Sequence, residues 1–171
     1  MTPVNRGKQF EEVVRKCFER IGASVDRLHD QTNGFSGSSN IADFIVYHYP
    51  FEYYIECKAI HGNTLSIHSN DPKQPYGLIR KKQWEGMAEK VKTYGVYAGV
   101  ICWWVDHDVT RFIPIQTLQK MREFEYKSVR YDVDVYQGER TYIINGKKNR
   151  VTFTYDMYNL FHQLNRVNVK W

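Results

Sequence analysis

Two carboxylates and a lysine lie close together in the sequence, with residue types that could support metal-assisted chemistry. Asp43 is followed, after twelve intervening residues, by the triplet Glu56-Cys57-Lys58. Carboxylate oxygens are the ligands that Mg²⁺ prefers, and the ion polarises a phosphoryl oxygen and lowers the pKa of bound water. A lysine beside that water can orient it, assist its deprotonation or stabilise charge in the transition state. The residues therefore predict phosphodiester hydrolysis, with the role of the lysine open.

The acidic-x-basic triplet is a weak signal when it is taken alone. With 19 acidic and 24 basic residues in 171 positions, chance supplies roughly three such triplets, and three occur. Asp71-Pro72-Lys73 lies in a proline-bearing loop, and Glu125-Tyr126-Lys127 has no preceding strand that starts with an acid. On the motif alone, a solvent-facing ion pair explains Glu56 and Lys58 as well as a catalytic site does.

A predicted β-hairpin must position the three residues. Ala42 to Tyr47 and Tyr53 to Ile60 are rich in aromatic and β-branched residues, and residues 48–52 are typical of a turn. Side chains two apart on a strand project from the same face, which brings together the acid and the lysine of the triplet.

The turn also predicts the register of the hairpin. With the turn centred near Pro50, we expect Asp43 to lie opposite Cys57. The Asp43 carboxylate would then lie close to Glu56 and Lys58.

Hydrophobic periodicity predicts the remaining elements. Apolar residues recur at helical spacing in two regions, about 5–21 and 79–94, and the nearly continuous apolar run Val96 to Val105 is typical of a central strand covered on both faces. The predicted elements are a helix over about 5–21, a strand over 24–28, a helix over 79–94, a strand over 96–105, a strand over 111–115, a helix over 116–124, a hairpin over 141–153 around Asn145-Gly146, and a helix over 155–164.

Length and charge restrict the class of protein. The 171 residues, 42% of them hydrophobic, suit one domain. We expect a single domain over 1–171, with a core over about 4–120 and a C-terminal elaboration over about 125–171. A net charge of +5 and a pI near 9.0 favour a polyanionic partner.

The sequence indicates a cytoplasmic protein without a membrane partner. The N-terminus has no apolar core of signal-peptide type, and the longest apolar run is too short to span a bilayer. Cys17, Cys57 and Cys102 form no CxxC pair, so we expect reduced cysteines in the core.

The segment Asn5-Arg6-Gly7-Lys8-Gln9-Phe10-Glu11 resembles the opening motif of the RecU-type Holliday-junction resolvases, a family with many phage-encoded members. Those enzymes belong to the PD-(D/E)xK nuclease superfamily, whose catalytic spacing is similar to that of Asp43 and Glu56-Cys57-Lys58. A serine-rich loop before the aspartate and Gln83 on the next helix also fit. The resemblance covers about residues 4–120. It implies an α/β, restriction-endonuclease-like core with a mixed β-sheet flanked by helices, followed by the C-terminal hairpin and helix.

The resemblance also implies site residues. The implied metal ligands are Asp43, Glu56 and the backbone carbonyl of Cys57, and the implied catalytic residues are Lys58, Glu11 and Gln83. Glu11 would be an accessory acid, while Gln83 would position Lys58 or a metal-bound water. Without the resemblance, Glu11 is better explained as a glutamate near a helix start that complements the macrodipole.

Basic and hydroxyl side chains near the predicted site are candidates for DNA contacts, although solvated helix ends explain the basic ones about as well. These candidates are Arg6, Lys8, Arg15, Ser38, Ser39, Arg80, Lys81 and Lys82.

The sequence therefore predicts a Mg²⁺-dependent endonuclease, with Mn²⁺ able to substitute, that resolves four-way DNA junctions. Symmetric cutting needs two active sites, so we expect a homodimer. If the chain is phage-encoded, it would act in the host cytoplasm. Two alternatives stay open: a restriction- or repair-type DNA endonuclease of the same fold, and a non-catalytic junction-binding protein.

Overall fold

The computed structural model describes residues 5–28, 40–149 and 153–168, which form four helices and twelve strands. In chain order they are α1 (Arg6–Arg20), β1 (Ser24–Arg27), β2 (Phe44–His48), β3 (Phe51–Ile60), β4 (Thr64–Ser66), α2 (Lys81–Lys90), β5 (Val96–Trp104), β6 (Val109–Pro114), α3 (Ile115–Glu123), β7 (Ser128–Arg130), β8 (Val135–Tyr136), β9 (Glu139–Arg140), β10 (Tyr142–Ile143), β11 (Gly146–Lys148), β12 (Phe153–Tyr155) and α4 (Met157–Asn168).

A six-stranded mixed sheet in the order β1-β2-β3-β5-β6-β10 organises the chain. β3 and β5 are parallel, and the other neighbours are antiparallel. Apolar residues of α1 and α4 form one core with one face of the sheet, and those of α2 and α3 form a second core with the other. The predicted α/β class, a mixed sheet flanked by helices, is confirmed.

α1 forms where the apolar periodicity predicted it. The Asn5 side chain accepts a hydrogen bond from the backbone N–H of Lys8 at 3.3 Å, which caps the first turn. The buried stripe consists of Phe10, Val14, Cys17 and Phe18. Gly22 follows the helix with φ of 81°, a left-handed conformation that favours glycine.

The β2–β3 hairpin is confirmed, but its predicted register is wrong by one position. The turn contains only Tyr49 and Pro50, because His48 already pairs with Phe51. Phe44 consequently lies opposite Ile55. This register brings the residue before β2 towards Glu56 rather than Cys57.

β5 lies between β3 and β6, as predicted for a central strand. Its Gly99 permits a close approach that no other residue would allow. A Cβ atom at this position would lie 2.3 Å from the carbonyl oxygen of Ile113 and 2.8 Å from the Phe112 ring.

Replacing Gly99 with alanine is therefore expected to destabilise the fold by about 1–3 kcal/mol, because β6 must move away from β5. Urea unfolding should show a lower midpoint with an unchanged slope. Gly7→Ala is the control, since alanine is the better helix former and its Cβ would meet only the end of the Asn5 side chain, at 3.3 Å. Equal midpoints for Gly99→Ala and the wild type would contradict the packing described.

The predicted hairpin around Asn145-Gly146 is wrong. β10 pairs with β6 and joins the main sheet, while β11 pairs with β12. β11 ends at Lys148 and β12 begins at Phe153, and residues 150–152 between them lie outside the described residues. Gly146 does not form the predicted turn. Its lack of a side chain permits close approach of the Tyr155 ring, since a Cβ at this position would lie 2.9 Å from that ring.

α4 covers the middle of the sheet. Phe161 stacks on Tyr53 of β3 at a centroid distance of 4.2 Å and on Phe18 of α1 at 5.4 Å. Met157, Leu160 and Leu164 belong to the same core. α4 thus completes, together with α1, the helical layer on one face of the sheet.

The segment between β3 and α2 is held by Arg122 of α3. Its guanidinium donates to the carbonyl oxygens of Ile67 and Pro75 at 2.8 and 2.9 Å, and lies 4.8 Å from the centroid of the Tyr76 ring. Tyr76 stacks on Trp84 of α2 at 4.5 Å. These contacts fix the start of α2 relative to the sheet.

The three cysteines are free and buried, as predicted. No helix within the described residues is both long and apolar enough to cross a membrane.

Candidate active site

A polar cavity of about 440 Å³ lies where β1, β2 and β3 meet the starts of α1 and α2. Its lining residues are Lys8, Glu11, Arg27, Leu28, Asn40, Ala42, Asp43, Glu56, Cys57, Lys58, Arg80 and Gln83. The cavity brings together the three residues of the predicted acidic-acidic-lysine site.

Asp43 is fixed by the backbone of β3. Its carboxylate oxygen Oδ2 accepts a hydrogen bond from the Cys57 N–H at 2.7 Å, and its own N–H donates to the Ile55 carbonyl at 3.0 Å. The hairpin geometry therefore holds the carboxylate beside the triplet.

Successive side chains of a strand point to opposite faces of the sheet. Ile55 and Cys57 belong to the core on the α1 side, so Glu56 and Lys58 project towards the α2 side. Lys58 Nζ lies 2.7 Å from Glu56 Oε1. The Glu56 side chain is only 3% exposed and that of Lys58 21%, so the predicted alternative of a solvent-facing ion pair is wrong. Glu56 Oε2 is buried and has no hydrogen-bond partner within the described part of the chain.

Burial governs the ionisation of the two carboxyl groups. It raises the pKa of Glu56 to about 7; the charge on Lys58 opposes the increase and that on Asp43 adds to it. Burial also raises the pKa of Asp43, against the effect of the Cys57 N–H and of Lys58. A cation in the cavity would offset both desolvation costs.

The donor set fits a hard divalent cation in part. Asp43 and Glu56 offer two carboxylates, and an unpartnered buried oxygen is a group that such an ion would satisfy. Among the residues that the structure describes, no three or more His, Cys, Asp or Glu side chains are grouped to hold a metal. Mg²⁺ commonly keeps several waters, so two carboxylates suffice. The Cys57 carbonyl stays a predicted third ligand.

Glu11 reaches the same cavity from α1, where it forms an ion pair with Arg27. The Arg27 Nη2 atom lies 2.7 Å from Glu11 Oε2. Burial and the charge on Asp43 raise the pKa of Glu11, whereas Arg27 and Lys8 lower it. The structure thus places Glu11 within electrostatic reach of Asp43, and its role as an accessory acid stays a prediction.

Replacing Arg27 with glutamine should raise the pKa of Glu11 further, because Arg27 is the stronger of the cations that lower it. The measurement is an NMR titration of the glutamate side-chain carboxyl carbons. Lys92→Gln, which changes an exposed cation paired with Glu89, should leave the Glu11 titration unchanged. An unchanged Glu11 pKa in Arg27→Gln would contradict the ion pair.

The sequence prediction missed Arg27 and Asn40. Arg27 pairs with Phe44, the residue after Asp43, so strand pairing between β1 and β2 is the signal that could have located it. Asn40 lines the cavity, and its buried Nδ2 has no partner among residues 5–28, 40–149 and 153–168.

Gln83 and Arg80 also line the cavity, as predicted. Gln83 is 6% exposed, and its Oε1 accepts a hydrogen bond from the Arg80 N–H at 3.1 Å. Its amide lowers the pKa of Glu56. Gln83 is therefore placed to act on the acid of the triplet, while the predicted action on Lys58 or a water stays a prediction.

Of the other predicted DNA contacts, Lys8 lines the cavity, whereas Arg6, Arg15, Lys81 and Lys82 are not among its lining residues. Arg15 forms ion pairs with Glu12, at 2.7 Å, and with Glu19. Arg6 lies 2.9 Å from His61 Nε2, and Lys81 lies 3.8 Å from Glu85. Lys82 is exposed on α2, and Ser38 and Ser39 lie outside the described residues.

Comparison with solved structures finds similarity at low sequence identity. No family model and no curated protein matches the chain. The chain is similar to the 1.6 Å structure of Hjc, a Holliday junction resolvase from the archaeal hyperthermophile Archaeoglobus fulgidus, with 14% identity, a TM-score of 0.46, and coverage of 82% of this chain and 84% of that one. We draw no conclusion about activity from so low a score. It supports neither a RecU-type assignment nor a phage origin.

Proposed function

We propose that the protein is a Mg²⁺-dependent DNA endonuclease that cuts four-way junctions as a homodimer. The observation that carries the proposal is the buried Glu56 carboxylate, which has an unpartnered oxygen and lies beside Asp43 and Lys58 in a polar cavity. Ionisable groups with strongly perturbed pKa values in a cavity are typical of functional sites.

A purely structural ion pair is the poorer explanation of these residues. Burial of a charged pair costs desolvation energy, and a pair of apolar residues in its place is often as stable or more stable. Lys58 donates to one oxygen of Glu56 at 2.7 Å, but the other oxygen has no hydrogen-bond partner among the described residues, so part of the desolvation cost is not offset. A ligand that binds this oxygen explains the arrangement.

The residues of the cavity would have three different roles: metal binding, stabilisation of the reacting phosphate, and binding of the DNA backbone. Asp43 and Glu56 would hold Mg²⁺, which when bound lowers the pKa of water and polarises a phosphoryl oxygen. Lys58 keeps its ammonium within 2.7 Å of Glu56, where it can donate a proton or a hydrogen bond to the reacting phosphate. Lys8, Arg27 and Arg80 surround the carboxylates with positive charge that favours binding of the phosphate backbone.

DNA is the substrate class that the wider charge distribution favours. The chain carries a net charge of +5, and basic residues flank the cavity at the starts of α1 and α2. Junction selectivity and a two-fold dimer rest on the sequence resemblance, together with the need for two sites in a symmetric cut.

The test is cleavage of an end-labelled four-way junction and of a linear duplex of the same sequence, each with Mg²⁺, with Mn²⁺ and with EDTA. We expect paired cuts in the junction with either metal, little cutting of the duplex, and none with EDTA. Equal cutting of both substrates would instead indicate a restriction- or repair-type endonuclease. Junction binding without any cutting would indicate a non-catalytic junction-binding protein.

A further inference from the structure

A second cavity, of about 480 Å³, lies between α1 and β12 and has no role in the chemistry described above. Its apolar lining includes Phe10 of α1, Trp103 of β5 and Phe153 of β12. Its size falls within the range of roughly 300–1,000 Å³ that is typical of small-ligand sites. The cavity is therefore large enough for a flat ring of moderate size.

The aromatic residues give the cavity apolar surfaces suited to such a ring. The Trp103 centroid lies 5.6 Å from that of Phe10 and 5.5 Å from that of Phe153. Trp103 and Phe153 are both partly exposed, so part of their surface is open to a ligand. A ligand with a planar ring suits this lining.

The charged groups around the cavity favour an anion. Lys8, Lys16 and Arg20 line it together with a single acid, Glu12. Arg15 compensates that acid through two hydrogen bonds of 2.7 and 2.9 Å from its guanidinium to the carboxylate. The cations around an apolar lining match a molecule that carries both a ring and a phosphate.

Lys8 connects this cavity with the candidate active site, because it lines both of them. A polyanionic chain bound at Lys8 would therefore contact the candidate active site on one side of this residue and the aromatic cavity on the other. The two cavities are therefore placed to bind neighbouring parts of one ligand.

We propose that the aromatic cavity binds the base of an unstacked nucleotide in the DNA strand that occupies the candidate active site. The proposal rests on the proposed function for the identity of that strand. Bases in an intact duplex are stacked and paired, whereas a single-stranded arm offers a free base, and a base at a branch point becomes free when its pair opens. Stacking on aromatic side chains tolerates any base sequence. The cavity would thus select branched DNA by structure.

The experiment measures the affinity for a forked duplex by fluorescence anisotropy in EDTA, so that no cleavage occurs. The matched probe is the same fork with abasic residues at the first nucleotides of its single-stranded arm. For the wild type we expect the base-bearing fork to bind roughly 5- to 100-fold more tightly, the range that one stacked base supplies. Equal affinities for the two forks would overturn the proposal.

Two variants connect the effect with the cavity. Phe153→Ala should bring the two affinities close together, whereas Phe124→Ala, which changes a half-exposed aromatic residue at the end of α3, should keep the wild-type ratio. Lys16→Gln should weaken binding of both forks and leave their ratio unchanged, because the lysine offers charge for a phosphate but no ring for stacking, and its contact with Glu12 at 3.4 Å is exposed. A wild-type ratio in Phe153→Ala, with the circular dichroism spectrum of the folded protein, would refute the assignment.

The outcome is independent of catalysis. Discrimination between the forks by a wild type that cuts no DNA would refute the proposed nuclease and retain the base-binding cavity. Junction cutting by a wild type that binds both forks equally would retain the proposed nuclease and refute the base-binding cavity.

Discussion

Replacing Lys58 with methionine is expected to reduce Mg²⁺-dependent DNA cleavage by roughly 10²–10³-fold or more, with DNA binding retained. The ammonium lies 2.7 Å from Glu56 Oε1, and its charge would act mainly on the transition state. Methionine keeps the apolar stem of the side chain, so the packing around β3 should be preserved. Single-turnover cleavage of the labelled junction, together with anisotropy in EDTA, separates the rate from the affinity.

Loss of Lys58 should act on the rate in a second way. Lys58 lowers the pKa of Glu56, so its removal raises that pKa further above about 7. More Glu56 would then be protonated at neutral pH and unable to bind a metal ion. Part of the lost rate should therefore be recovered as the pH is raised, and the remainder measures the direct contribution of the ammonium.

The matched control is Lys92→Met. Lys92 forms an ion pair with Glu89 near the end of α2, and both side chains are 71% exposed. Its replacement should leave the cleavage rate within a factor of about two, because exposed ion pairs contribute little. Cleavage by Lys58→Met at the wild-type rate would show that Lys58 has no role in catalysis.

Replacing Glu56 with glutamine should abolish metal-dependent cleavage and stabilise the fold above neutral pH. The carboxyl group has an ordinary pKa of 4.5 and a folded-state pKa of about 7, so the folded chain binds the proton more tightly than the unfolded chain. Stability is consequently lost as the pH rises from 4.5 through about 7. The full cost, roughly 3 kcal/mol, applies above that range. Glutamine avoids this cost but leaves Lys58 without its ion partner, so the net gain should be smaller.

Urea unfolding at pH 5 and pH 8 measures this effect. We expect the stability difference between Glu56→Gln and the wild type to become more favourable to the variant at pH 8. Glu89→Gln, at an exposed position, should show no such change with pH. A variant that loses stability relative to the wild type between pH 5 and pH 8 would show that the fold stabilises the ionised form of Glu56, opposite to the expectation.

Mg²⁺ provides a second readout of the same residue. An ion that binds only the folded protein stabilises it in proportion to the logarithm of its concentration over its dissociation constant. The wild type at pH 8 should therefore gain stability with increasing Mg²⁺, and Glu56→Gln should gain much less. An equal gain in both proteins would place the ion elsewhere.

The sequence predicted the features that depend on local pattern. Alternation in β2 and β3 placed Glu56 and Lys58 on one face, and the helical stripe from Phe10 to Phe18 located α1. The candidate site was predictable to that extent, because a hairpin brings residues 43 to 58 together without any distant part of the chain.

Features that depend on tertiary packing were not predictable. The sequence does not show that α2 and its surroundings bury Glu56, which distinguishes the site from a surface ion pair. Arg15 was a candidate for DNA contact, but neighbouring glutamates on α1 bind its guanidinium. Asn145-Gly146 has the composition of a hairpin turn, yet Gly146 pairs with Tyr155 of β12 and lies close against its ring.

The position of α4 in the structure determines when the chain can acquire its fold during synthesis. Phe161 covers Tyr53 of β3, but the ribosome adds it more than a hundred residues later. Until residues 157–168 have emerged, one apolar face of the nascent sheet lacks part of its cover, and such surfaces are prone to aggregate. The candidate active site on β2 and β3 should therefore become rigid only after α4 has emerged from the ribosome, and chaperones that bind nascent chains should protect this protein until then.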